Sequence, residues 1–264
     1  MATTESLVYR SDESQKIDYE SMMQLHRDPI HLSDEDIHIW KVPLKFDKLD
    51  DKDLQRHLSK EEEEKSNKFL FRKDRKHYIL THGLLRIILA RYLDQEPYQI
   101  HYTYSIYGKP GLKNNQDDRM LSFNMSHSAG TAIYAVTRNR NIGIDIERIV
   151  KDFPCEEIAE RFFSPREYNE LLKVKAGFLR ERAFFSCWTR KEAYIKARGV
   201  GFSMPLDEFD VFVSQNMPVQ LIVDREDRNE KSQWTLMNIN SAPGYVSALA
   251  VEGFDFRVSY FELA

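Results

Sequence analysis

The stretch from Phe184 to Gly201, Phe-Phe-Ser-Cys-Trp-Thr-Arg-Lys-Glu-Ala-Tyr-Ile-Lys-Ala-Arg-Gly-Val-Gly, constrains this chain more than any other. Phe185, Trp188 and Ile195 recur at helical spacing and the paired glycines supply a stop, so a helix over 184–197 is expected. Glu192 falls between Trp188 and Ile195 on the same apolar face. A carboxylate there is costly to bury unless a cation or hydrogen-bond donors meet it. Lys196, one turn on, is such a cation, and Lys191 flanks the other edge of the stripe. An ordinary i,i+4 pair worth a few tenths of a kcal/mol also accounts for Glu192 and Lys196, so motifs upstream must decide.

At 264 residues the chain can form one large domain or two half-size ones. Its 38 basic and 42 acidic residues leave a net charge of -4, which argues against a nonspecific nucleic-acid binder. No apolar run approaches membrane-spanning length, and the opening Met-Ala-Thr-Thr-Glu-Ser lacks the basic and apolar regions of a signal peptide. Cys155 and Cys187 form no metal or redox motif, which points to a cytoplasmic protein with reduced thiols.

Three segments are expected: a polar extension over 1–34, an α+β half over 35–140 and a second α+β half over 141–264. The extension reads as aperiodic, with at most a turn of helix. Strands are expected at Ile37–Val42, Tyr98–Tyr104, Leu121–Ser128, Thr131–Val136 and Ile142–Glu147. Further strands are expected at Phe209–Val213, Val219–Val223, Trp234–Ile239, Tyr245–Val251 and Phe256–Phe261. Helices are expected at Asp51–His57, after Ser59, at His77–Tyr92, near Pro154–Arg161 and after Ser164. Ser59 with Glu62, and Ser164 with Glu167, have capping-box spacing. The helix after Ser59 is read as carrying Lys65, Phe69, Phe71, Arg72, Lys73 and Asp74. A short echo links Arg72-Lys73-Asp74 and Gly83 with Arg190-Lys191-Glu192 and Gly201, and implies two related halves, each helices on an antiparallel sheet.

In Gly143-Ile144-Asp145-Ile146-Glu147 the isoleucines share one strand face while Asp145 and Glu147 share the other. Adjacent carboxylates repel, and a divalent cation relieves that; Mg²⁺ takes one or two protein carboxylates with water and phosphate oxygens. A strand with one solvated face explains the same pattern. In Asn124-Met125-Ser126-His127-Ser128, a hydroxyl, an imidazole and strand-end amides suit a phosphate. Ser126 and His127 are sequence neighbours on opposite strand faces, so they read as a binding feature and not a nucleophile–base pair, and a merely polar strand end explains the motif equally well.

Taken in order, these motifs resemble the 4'-phosphopantetheinyl transferases of the surfactin-synthetase-activating type. The resemblance runs through Phe69-Leu70-Phe71, Tyr107-Gly108-Lys109-Pro110, Phe123 to Ser128, Gly143 to Glu147, Phe162 to Tyr168 and Trp188 to Lys196, over about 37–264. It implies a pseudo-twofold α+β fold and transfer of the 4'-phosphopantetheine arm of coenzyme A to a serine of an apo acyl or peptidyl carrier protein, releasing adenosine 3',5'-bisphosphate. It implies Mg²⁺ held by Asp145, Glu147 and Glu192, with Glu192 as base and Lys196 on the pyrophosphate. It implies coenzyme A contacts from Lys109, Pro110, Ser126 and His127, with Arg72, Lys73 and Lys191 as lesser phosphate ligands. The family often has Arg three residues after the Asp matched to Asp74, where this chain has His77. A basic residue is also common at the position of Glu62, where Lys65 is the nearer match. The segment Ile149–Arg182, with Phe153, Phe162, Phe163, Leu171, Leu172, Lys173, Lys175, Arg180 and Arg182, is expected to dock an acidic carrier helix.

Two other classes remain. Asp-x-Glu with a further Glu and Lys also suits a metal-dependent phosphodiesterase or nuclease, against which the acidic net charge speaks. A noncatalytic carrier-binding relative is expected to lack a metal carboxylate, and all three are present. A monomer with its site between the halves suits the length.

Overall fold

The computed structural model describes residues 9–18, 21, 29–44, 51–113, 120–213, 223–224 and 234–263. Strands β1 (Tyr9–Ile17) and β2 (Asp36–Pro43) are followed by helices α1 (Asp51–Gln55), α2 (Lys60–Asn67) and α3 (Arg72–Leu93). Then come β3 (Tyr102–Tyr104), β4 (Pro110–Leu112), β5 (Leu121–Ser128), β6 (Thr131–Arg138) and β7 (Ile142–Arg148). Helices α4 (Cys155–Phe162), α5 (Pro165–Lys173) and α6 (Phe178–Arg198) precede β8 (Phe209–Asp210), β9 (Val223–Asp224), β10 (Trp234–Asn238), β11 (Tyr245–Glu252) and β12 (Arg257–Leu263).

One sheet has the order β1-β12-β2-β6-β5 and a second the order β10-β11-β7. Strand alternation sorts their side chains into layers. Ile37, Ile39 and Ile133 face Ile142, Ile144 and Leu249 in a core between the sheets. Trp40, Val42 and Tyr134 face the apolar side of α3, and Ala248 and Ala250 face α6. The result is a helix–sheet–sheet–helix stack.

Several expectations change. Tyr9–Ile17, read as part of a polar extension, is a strand pairing parallel with β12, and β12 pairs parallel with β2. The first sheet is therefore mixed and not purely antiparallel. Its polar sequence hides β1, because an edge strand held by backbone bonds needs no apolar alternation. β12 lies late in the sequence yet completes the first sheet, so the chain returns across its two halves. The helix opened by Ser59 stops at Asn67, and Arg72–Asp74 belong to the next helix, capped by extended Phe71. Pro97–Gln99 is a 3-10 turn, which shortens the strand expected from Tyr98. The strand expected at Phe209–Val213 has only two residues. Of Val219–Val223, only Val223 lies among the described residues.

The internal symmetry is real, but its register differs from the echo. Asp74 stands in the first turn of α3, whereas Glu192 stands near the end of α6. The matching sets are Ser59, Glu62, Arg86 and Ser164, Glu167, Lys191, related by one constant offset in the numbering. Both capping boxes are formed. In each, the box glutamate also binds a buried cation from the long helix: Glu62 to Arg86 at 2.6 Å and Glu167 to Lys191 at 2.7 Å. Each cation also donates to two backbone carbonyls, Pro97 and Ile100 for Arg86, Leu206 and Phe209 for Lys191. A buried charge survives only with such compensation.

Candidate active site

The two sheets meet along β5 and β7, where side chains replace a backbone ladder. Asn124, Ser126 and Ser128 alternate toward β7. Asn124 Oδ1 accepts from the Ile144 N–H at 2.9 Å. Ser126 Oγ donates to Asp145 Oδ1 at 2.7 Å, and Ser128 Oγ donates to Glu147 Oε2 at 2.8 Å. Met125 and His127 point the other way, as strand geometry requires.

Helix α6 closes on the same face of β7. Gly143 permits this, because a Cβ there would collide with the Ala193 carbonyl oxygen and the Ala197 amide nitrogen. Lys196 thereby reaches Asp145 Oδ1 at 2.7 Å, with Ser126 Oγ at 3.1 Å and the Ile144 carbonyl at 3.4 Å. Asp145 is buried, and its Oδ2 has no hydrogen-bond partner. Burial, then the Asp145 charge, raises the Glu192 carboxyl above its ordinary range, with Lys196 opposing. Glu147 is raised by burial, with Asp145 and Glu192 adding and the Ser128 hydroxyl and Lys196 opposing. Three carboxylates thus act on one another across a single seam.

Glu192 and Lys196 line a pocket of about 240 Å³ with Tyr107, Pro110, Asn124 and Met125. Glu147 and Ser128 border an adjoining groove of about 730 Å³ walled by Phe153, Phe184, Phe185 and Trp188. Asp145 lies between them on the strand. In the first half, Trp40, Val42 and Ile87 stand at the positions equivalent to Asp145, Glu147 and Glu192, all of them buried. Arg91, equivalent to Lys196, lies over the Trp40 ring at 5.4 Å, and Phe261 of β12 stacks on that ring at 4.5 Å. β12 covers β2 where β5 meets β7, so the related half carries packing and not a second carboxylate cluster.

The likeness to known proteins is extensive. The chain is 36% identical over 87% of its length to 4'-phosphopantetheinyl transferase HetI of Nostoc sp., covering 93% of that protein. It belongs to the 4'-phosphopantetheinyl transferase family. The transferase is also 34% identical over 78% of its length to Sfp of Bacillus subtilis, covering 89% of that protein. The model of the 4'-phosphopantetheinyl transferase superfamily matches residues 141–250. That of the 4'-phosphopantetheinyl transferase N-terminal region matches 50–139. This is therefore an enzyme that transfers the 4'-phosphopantetheine group.

Not every expected ligand reaches the site. Lys191, expected at a phosphate, is fully buried on Glu167 and two carbonyls, its ammonium 4.3 Å from the Phe209 ring. Buried Cys187 and Tyr194, four and three residues away, already mark that side of the helix as inward. The Lys109 ammonium donates to the Ile142 and Ala197 carbonyls at 3.1 and 2.9 Å, and burial lowers it to about 8. Lys109 therefore fastens the Tyr107–Pro110 loop to the end of α6, while Pro110 lines the pocket. Arg72 and Lys73 are exposed in the first turn of α3, and His127 is exposed on β5. Within the expected docking segment, Phe163 and Leu171 enter the core, and Arg180 pairs with Glu156 while donating to Val174 and Leu172 carbonyls. Ser128, Asn124 and Gly143 are site residues that motif reading left unassigned. Their signal is the alternation of small polar residues facing the carboxylate strand.

Among the described residues, no three His, Cys, Asp or Glu side chains are gathered into a ready cation site. The donor set nevertheless suits a hard divalent ion: carboxylate oxygens, of which Asp145 Oδ2 is buried and unpartnered. No helix among the described residues is long and apolar enough to cross a membrane.

Proposed function

We propose that this transferase moves 4'-phosphopantetheine from coenzyme A to the serine of an apo acyl or peptidyl carrier protein at the β5–β7–α6 seam, with Mg²⁺. The observation that carries the reading is Asp145, buried with Oδ2 bare beside Lys196, Glu192 and Glu147. Asp145, Glu147 and Glu192 would hold the ion. When bound, Mg²⁺ neutralises charge on the pyrophosphate and the leaving bisphosphate.

The chain's own groups do the rest. Glu192, its basicity raised by burial, takes the proton from the carrier serine, directly or through one water. The serine oxygen bonds to the phosphorus bearing the pantetheine arm, and the bond from that phosphorus to the bridging oxygen breaks. Adenosine 3',5'-bisphosphate leaves with the bridging oxygen. Lys196 binds the pyrophosphate, and its hold on Asp145 keeps it at the seam until then. Ser126 and Ser128 orient the two strand carboxylates. Pro110 and His127 border the nucleotide, with Arg72 and Lys73 near its phosphates. The carrier helix docks along the Phe153–Trp188 groove, beside exposed Phe162, Lys175 and Arg182. The enzyme works as a monomer, since one chain supplies both walls of the site, and its free cysteines Cys155 and Cys187 suit the reducing cytoplasm.

Intact-mass spectrometry of apo carrier proteins incubated with this protein, coenzyme A and Mg²⁺ tests the reading. A phosphopantetheine-sized gain, abolished by EDTA and by a carrier Ser→Ala change, is expected. No gain on acyl and peptidyl carriers alike would move the seam to a phosphodiesterase or carrier-binding role.

A further inference from the structure

β5 and β7 are edge strands of different sheets and share no backbone ladder, so the end of β5 needs other ties. It runs into the Ala129–Gly130 turn, where both residues have positive φ, 43° and 88°. Glycine takes that conformation freely; Ala129 does not, so the turn needs partners to hold it. Two elements supply them. The Leu44 N–H, just past β2, donates to the Gly130 carbonyl at 2.8 Å. The Tyr245 hydroxyl, from β11 of the second sheet, donates to the Ala129 carbonyl at 2.7 Å. Tyr245 is half-buried and stands opposite Arg148 in the β11–β7 ladder.

Ser128 immediately precedes the turn and grips β7 twice. Its Oγ donates to Glu147 Oε2 at 2.8 Å and accepts from the Arg148 N–H at 3.1 Å. A ring of contacts therefore closes from Tyr245 through Ala129 and Ser128 to Arg148, and back across the ladder. Among the described residues, the Ser128 hydroxyl makes the one hydrogen bond that the Glu147 carboxylate accepts. The Asp145 and Glu192 charges meanwhile oppose its ionised form. A long carboxylate among like charges turns away unless a donor holds it. We propose that Tyr245 is a positioning residue for the transfer reaction: by anchoring the Ala129 carbonyl it fixes Ser128, and through Ser128 it holds Glu147 ready for the divalent ion. Tyr245 lines neither the pocket nor the groove of the site, so its effect is indirect. This rests on Glu147 being a ligand of Mg²⁺.

Calorimetric Mg²⁺ titration of the full chain tests it, with the Mg²⁺ dependence of turnover as a second reading. Tyr245→Phe removes the hydroxyl and keeps the ring. It is expected to weaken Mg²⁺ binding about three- to tenfold, with kcat at saturating Mg²⁺ near native; Ser128→Ala, which removes the contact itself, should cost roughly 10–100-fold. Ser128→Thr keeps the hydroxyl and should bind Mg²⁺ close to native. In a Ser128→Ala background Tyr245→Phe should add almost nothing, because the ring is already open. Thermal melts in EDTA should stay near native for each variant. An unchanged Mg²⁺ affinity in Tyr245→Phe, an equal loss with and without Ser128, or a lowered melt that tracks the affinity loss would overturn the assignment while leaving Glu147 a ligand. Native Mg²⁺ affinity in Glu147→Gln would overturn the ligand reading itself.

Discussion

Lys196 Nζ lies 2.7 Å from Asp145 Oδ1, while Asp145 Oδ2 is buried without a hydrogen-bond partner. One cation thus covers half of a carboxylate whose other half is bare. Lys196→Met leaves Asp145 with the Ser126 hydroxyl alone. A loss of about 1–3 kcal/mol is expected, below that of a fully buried pair because Lys196 is partly exposed. Millimolar Mg²⁺ should return more stability to this variant than to the native protein, since the ion then meets no competing ammonium. Thermal melts with and without Mg²⁺ check this, and equal Mg²⁺ shifts in the two proteins would refute it.

Glu192 is held above the ordinary carboxylate range by burial and by Asp145. Without Mg²⁺ a group so raised is protonated earlier as pH falls, so its carboxyl titration, followed in the metal-free protein, should lie above that range, and added Mg²⁺ should bring it down. Glu192→Gln should lower turnover by about 10²–10⁴-fold and keep the fold, with coenzyme A affinity little changed. In the metal-free protein Asp145→Asn should move that titration downward, because the charge that raises Glu192 is gone. A Glu192 titration unchanged in metal-free Asp145→Asn would rule that coupling out.

Lys191 belongs to the architecture. It and Glu167 are essentially fully buried, so Lys191→Met leaves a buried carboxylate with only backbone donors. About 3–5 kcal/mol of stability should be lost. In material that remains folded, KM for coenzyme A should stay within about twofold. Denaturant unfolding and steady-state kinetics on the same preparation separate the two effects; a large KM rise with native stability would restore Lys191 as a phosphate ligand.

What the sequence disclosed follows from which forces leave a local pattern. The capping boxes at Ser59 and Ser164 are local, and both form. The alternation of Asn124, Ser126 and Ser128, and of Asp145 with Glu147, is likewise local, and it places these groups across one seam. The partners of Glu62 and Glu167 lie on the long helices, so their buried ion pairs are invisible to a short window. The true repeat is carried by those pairs, whereas Arg-Lys-Asp and Arg-Lys-Glu match in letters alone. Gly143 reads as a strand start until α6 is seen against it. Tyr9–Ile17 has too little apolar alternation to announce a strand, because its partner β12 is nearly the whole chain away.

Two histidines, buried His38 and half-buried His82, give the fold an acid sensitivity independent of catalysis. His38 is lowered to about 4 by burial, with Asp36 opposing and Arg91 and His31 adding. His82 is lowered to about 3, chiefly by burial, with its ring stacked on Tyr78 at 3.8 Å. Unfolded, each takes a proton near 6.5; folded, each refuses it until pH approaches those lower values. The stability from keeping them neutral is therefore complete above about pH 6.5 and is lost as pH falls toward 4 and 3. Each group contributes a slope of about 1.4 kcal/mol per pH unit within its window. Glu147 and Glu192, raised by burial, act in the opposite sense as pH falls toward the ordinary carboxylate range. Comparing His38→Gln with the native protein cancels that carboxylate contribution. Urea unfolding at pH 7.5, 6 and 5 should show a shallower loss in His38→Gln, and parallel curves would rule His38 out as a source of acid sensitivity.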